Sequence, residues 1–284
     1  MRTRARRRTL YLSLMVILAT AAVATAATTV TADTVTAAGD GVTATLTFRH
    51  DAAPSAVIPY RDLRLAITGG GRAAYRAPVS ALLCAKQCWP LSGAPGAPVL
   101  RVVTLEYGRG ADVVLNLYSG GAHCCSITQV FSYASGSYAL AQRDFGDPGS
   151  RLERLDGGWV FLSADDRFAY EFTSFAFSGL PLAIWRFAGG RFVDVTRAFP
   201  ARVQADATRQ YKAYIANRRQ GLGLGFIAAW AADEDLLGKR AHVAATLGAL
   251  AAAGELRSGD GFSRGGRAFI AALNRFLAKI GYGS

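Results

Sequence analysis

Phe131-Ser-Tyr133-Ala134-Ser-Gly136-Ser-Tyr138 is the stretch on which the fold turns. Aromatic residues at alternate positions flank a small-residue turn, the pattern of two short antiparallel strands joined by a tight hairpin. The pattern returns as Trp185-Arg-Phe187-Ala188-Gly-Gly190-Arg-Phe192, at a constant offset of 54 residues. The correspondence runs on to Arg143 with Arg197 and Phe145 with Phe199. It reads as one hairpin unit used twice, its aromatics on one face. A closed propeller needs at least about four blades, so two copies point to an open or sandwiched sheet.

Working outward, residues 42–48 and 63–67 alternate apolar and polar, as half-buried strands do, and Gly69-Gly70-Gly71 supplies a turn. Residues 94–98, Ala-Pro-Gly-Ala-Pro, read as a loop. From about residue 203 the texture becomes helical. Residues 206–219, 226–237 and 239–253 each carry apolar side chains at helical spacing. A last helix, with Ser263 as its N-cap, places Phe269, Leu273, Phe276 and Ile280 on one stripe. The expected fold class is α+β: an antiparallel β-rich domain over residues 41–200, then a small helical domain over residues 201–284.

The N-terminus carries Arg2, Arg4, Arg6, Arg7 and Arg8, an apolar run over residues 10–23 and the small-x-small sequence Ala24-Thr25-Ala26. That is the layout of a signal peptide over residues 1–26, so the chain is expected to be exported, to a periplasmic or extracellular space. The alternative is an anchor formed by an uncleaved N-terminal segment. The run is shorter than the ~20 residues that span a bilayer, and no later stretch is long and apolar enough to do so. Residues 27–40, rich in Thr and Ala, read as a linker.

The 284 residues are 51% hydrophobic and 18% charged, which excludes a disordered chain. Net charge is +12, falling to +7 without the five leader arginines. No basic run with interleaved aromatics follows residue 8, so nucleic acid is not an expected partner. An envelope polysaccharide or a protein remains open as partner. HExxH and P-loop patterns are absent.

Four cysteines in an exported chain suggest two disulfides. Three connectivities are open. Neighbouring Cα atoms sit ~3.8 Å apart across a trans peptide, and side chains alternate along a strand. Both facts favour cross-linking Cys84 and Cys88 to Cys124 and Cys125. A zinc site from His123 and thiolates is chemically coherent, but oxidation removes the thiolates, so neither metal nor cofactor is expected.

Residues 115–125, ending Ser119-Gly120-Gly121-Ala122-His123-Cys124-Cys125, resemble a group of uncharacterised exported bacterial proteins. Those carry a GGAHCC run after a DxDxDG loop and are similar to degenerate FG-GAP or VCBS-type β repeats. The resemblance covers about residues 100–200 and extends to Asp156-Gly157-Gly158-Trp159 as a second loop and strand. It implies calcium held by loop aspartates. This chain has Arg109 and Gly110 in the first such loop and keeps only Asp156 in the second, so calcium is not expected.

The candidate functional turn is Gly120, Gly121 and His123, with the adjacent carboxylates Asp165 and Asp166 as further candidates. No catalytic constellation is readable, so the leading expectation is a non-enzymatic binding or envelope-associated module. The alternative is a secreted enzyme, thiol-redox or hydrolytic, centred on His123-Cys124-Cys125.

Overall fold

The structure, a computed structural model, describes residues 30–51, 59–84, 88–91, 94 and 96–282. The expected signal peptide lies outside the described residues. Three four-stranded sheets follow one another along the chain, each with its strands antiparallel and in sequential order. The first holds β1 (Val30–Gly39), β2 (Val42–Asp51), β3 (Tyr60–Gly69) and β4 (Tyr75–Pro78). The second holds β5 (Leu100–Val103), β6 (Asp112–Gly121), β7 (Cys124–Ala134) and β8 (Ser137–Asp144). The third holds β9 (Arg151–Leu155), β10 (Gly158–Ala164), β11 (Leu182–Ala188) and β12 (Arg191–Asp194). Four helices complete the chain, α1 (Pro200–Asn217), α2 (Leu224–Leu236), α3 (Arg240–Ala252) and α4 (Gly266–Lys279). The fold is α+β, with its β-rich part first.

Both aromatic stretches form hairpins. Tyr133 faces Tyr138 across β7–β8, and Phe187 faces Phe192 across β11–β12. The turn pairs Ser135-Gly136 and Gly189-Gly190 all have positive φ, the backbone that lets a two-residue turn follow the twist of its strands.

Residues 30–39, expected as a linker, are instead a strand paired with β2 along its whole length. Thr and Val favour strands. The weak contrast between the two faces of β1, one half-buried and one exposed, hides it from a search for apolar alternation.

The sheets stack. Leu46, Leu65 and Ile67 of the first sheet meet Leu115, Ile127 and Phe131 of the second. Val114 and Val130, of opposite parity, meet Phe161 and Phe187 of the third. The middle sheet is therefore covered on both faces, and β7 is buried continuously from Cys125 to Phe131. Some of its buried polar groups find partners, while Ser126 Oγ and Gln129 Oε1 have none among the described residues. Gln129 donates to the Ser80 carbonyl at 2.8 Å, and Thr128 donates to Asn116 Oδ1 at 2.8 Å.

The outer face of the third sheet packs on Phe199, just before α1. The β10–β11 connection sends Phe168 and Phe172 into the helical core, edge-on to Phe276 at 4.9 and 5.4 Å between ring centroids. One detail differs from expectation. The cap of α4 is Gly265 rather than Ser263, because the Gly266 N–H is tied to the Leu256 carbonyl at 2.8 Å. The α2 carboxylates Asp233, Glu234 and Asp235 are buried.

Candidate functional site

The candidate turn is the β6–β7 hairpin. Ala122 and His123 are its tip, between the paired residues Gly121 and Cys124. The Tyr118 hydroxyl donates to the Gly121 carbonyl, and the Cys125 N–H donates to Ser119 Oγ at 2.6 Å. Gly120 has φ +84° and lies under the Trp89 indole, where a Cβ would sit 3.0 Å from the ring. Trp89 exchanges backbone hydrogen bonds with Tyr118 at 2.8 and 2.9 Å.

The cysteine pairing corrects the expected cross-links. Cys84 pairs with Cys88, Cα atoms 5.1 Å apart, and Cys124 pairs with its neighbour Cys125. The ~3.8 Å separation assumed for neighbours belongs to a trans peptide. The Cys124–Cys125 peptide is cis, and its Cα atoms are 3.0 Å apart. Backbone hydrogen bonds through Trp89, rather than disulfides, hold the Cys84–Cys88 segment against the hairpin. Cys124, Cys125 and Asp144 place their ligand atoms within 4.8 Å of one another. Sulfurs bonded to each other offer no thiolate to a metal.

At the tip, the half-exposed His123 ring lies 4.0 Å from the Phe175 ring and 6.1 Å from that of Tyr170, measured between centroids. Its Nδ1 is 4.0 Å from Asp147 Oδ1. The Asp147 N–H in turn donates to Asp166 Oδ1 at 3.3 Å. Gly146 makes this approach feasible, since any side chain there would collide with the Asp166 carboxylate. Burial raises the pKa of Asp166, and the like charges of Asp147, Asp144 and Asp165 push the same way.

The neighbouring candidates Asp165 and Asp166 thus part company. Asp166 joins His123 through Asp147. Asp165 is buried and caps the short helix of residues 166–168. It accepts from Arg167 Nε at 2.8 Å, from Arg167 Nη2 at 2.5 Å and from the Tyr282 hydroxyl at 3.0 Å. Its role is to hold the C-terminal segment.

The aromatic surface continues beyond His123. Tyr170 and Phe175 are 5.3 Å apart, and Tyr170 stacks with Phe262 at 6.3 Å. Tyr170 is 46% exposed and Phe262 52%. Tyr170 and Phe175 come from the β10–β11 connection and Phe262 from the α3–α4 loop, so no local sequence pattern links them.

No protein-family model matches the chain, and no solved structure matches it. It is 32% identical over 136 residues to a protein of Synechocystis sp. described as a probable thylakoid lumen protein. That match covers 45% of this chain and 40% of the relative. It is 28% identical over 139 residues to an uncharacterised protein of Sinorhizobium fredii, covering 45% of this chain and 21% of that one. The chain therefore spans well under half of either relative. No helix among the described residues is long and apolar enough to cross a membrane.

Proposed function

We propose that this chain is an exported, non-enzymatic binding module that holds an envelope polysaccharide on the surface around His123. Export is supported by the arginine-rich, apolar N-terminus, by two cysteine pairs at bonding distance and by the description of the Synechocystis relative. The observation that carries the binding role is the aromatic surface of exposed Tyr170 and Phe262 with half-buried Phe175, continuous with His123 and flanked by Asp147. Exposed aromatic faces are costly in water and mark contact surfaces. The apolar C–H face of a sugar ring covers such a face, and its hydroxyls donate to a neighbouring carboxylate.

The test is co-sedimentation with insoluble peptidoglycan and other insoluble glycans. Retention should fall at least tenfold in a Tyr170→Ala/Phe262→Ala variant whose circular dichroism is unchanged. Retention on none of the glycans, or equal retention of the variant, refutes the reading.

The alternative, a thiol-redox enzyme at Cys124-Cys125, has one observation in its favour: Cys124 is partly accessible. It is the weaker reading, because the nearby Asp144 carboxylate disfavours the thiolate such chemistry needs.

A further inference from the structure

A cavity of about 880 Å³ opens where the ends of β8, β10 and β11 meet the C-terminal residues Ile280–Tyr282. Its walls carry arginines and aspartates in nearly equal number, and most are already committed. Asp165 is held by Arg167 and Tyr282. Asp194 accepts from the Thr196 N–H at 2.9 Å and the Thr196 hydroxyl at 2.6 Å. Arg197 donates to the Leu236 carbonyl at 3.1 Å.

Three groups are left. The Arg143 guanidinium lies on the face of Trp185, with Cζ 3.2 Å from the ring centroid. Among the described residues it makes no hydrogen bond or ion pair, and its buried Nε has no partner. Asp144 accepts a single hydrogen bond, from the Gly146 N–H, and Asp166 a single one, from the Asp147 N–H. One lining cation, through its terminal nitrogens, and two lining carboxylates with one hydrogen bond each thus border the same space.

We propose that this cavity binds a zwitterion of the amino-acid or short-peptide class. Its carboxylate sits on Arg143, and its ammonium sits between Asp144 and Asp166. A planar guanidinium backed by an aromatic ring presents a fork of N–H donors that matches a carboxylate. A plain anion would meet repulsion from the two carboxylates, and a plain cation would meet repulsion from Arg143. A ligand carrying both charges satisfies all three groups. The volume lies within the range of small-ligand pockets.

The inference does not depend on the polysaccharide reading, which rests on Tyr170, Phe175, Phe262, His123 and Asp147, none of which lines this cavity. Its test is calorimetric titration of the whole protein with a pool of free Xaa-Ala-Ala tripeptides. The same pool, N-acetylated or C-amidated, is titrated in parallel. The free pool should bind, and capping either end should weaken binding at least tenfold. Arg143→Gln and Asp166→Asn should each do the same, while Arg143→Lys keeps part of the affinity and checks that the cavity stays folded. Tyr170→Ala/Phe262→Ala should leave peptide binding unchanged. Absence of binding at millimolar peptide, or equal binding of the capped pools, overturns the proposal.

Discussion

The Tyr282 hydroxyl donates to Asp165 Oδ2 at 3.0 Å, joining the segment after α4 to the end of the inner strand β10 across 117 positions of sequence. Both residues are buried. Burial, followed by the charge of Asp165, holds the Tyr282 phenol well above its usual pKa, so it is a donor at any working pH. Tyr282→Phe removes the donor and keeps the ring that packs on Phe168. A buried hydrogen bond to a charged group is worth ~1.5–3 kcal/mol. The variant should therefore lose that much stability in urea unfolding, with peptidoglycan retention intact. A loss below ~0.5 kcal/mol would show that Arg167 alone secures Asp165.

The β architecture was legible because its signals are local. Ser135-Gly136 and Gly189-Gly190 supply positive φ where hairpins need it, and alternate aromatics mark the paired faces. β1 was not legible, since its Thr and Ala residues blur the contrast between its faces. In the site, the His123 turn stood out by its glycines. Tyr170, Phe175 and Phe262 did not, because they meet through tertiary packing of two separate connections. The cysteine pairs misled because a neighbouring pair was assumed to be trans.

Asp233 has the largest consequence for pH. It is fully buried on α2, and its pKa is pushed up to about 10 by burial, with the charge of Asp206 adding. The folded state holds a proton that the unfolded chain, with an ordinary value of 3.8, releases. The contribution to stability is thus fully present below about pH 4 and is lost as pH rises toward the folded value, by up to ~1.4 kcal/mol per unit. Asp233→Asn is neutral at every pH. It should melt above the wild type at pH 9, with the gap closing toward pH 4. Parallel melting-temperature profiles over that range would sink the assignment.

Two helical glycines should respond in opposite directions to the same substitution. A Cβ at Gly225 would lie 2.5 Å from the Phe177 carbonyl oxygen and 2.6 Å from Thr173 Cγ2, so α2 meets the β10–β11 connection through its bare backbone. Gly225→Ala should cost ~1–3 kcal/mol through overpacking. Gly248, within α3, has nothing within 4 Å of the corresponding position. Gly248→Ala should add ~0.5–1 kcal/mol by reducing the entropy lost on forming the helix. Denaturant titration of the two variants checks both signs, and destabilisation by Gly248→Ala would contradict an open helix face there.

The cysteine pairing can be read without mutation. Trypsin cuts after Arg76, Lys86, Arg101, Arg109 and Arg143, which places Cys84 and Cys88 on separate peptides, 77–86 and 87–101. Cys124 and Cys125 share the peptide 110–143. The structure's pairing predicts that a non-reducing digest contains 77–86 joined to 87–101, and 110–143 alone and lacking two hydrogens. Cross-links between the two cysteine groups would instead tie all three peptides together. The energetic consequence follows from the short sequence separations of 4 and 1. Under the chain-entropy relation a five-residue loop is worth about 2 kcal/mol, whereas a loop of about 40 residues would be worth about 4. Reduction should therefore lower stability modestly while the sheets, packed through their apolar cores, stay folded. A three-peptide product, or complete unfolding on reduction, would restore the cross-linked arrangement.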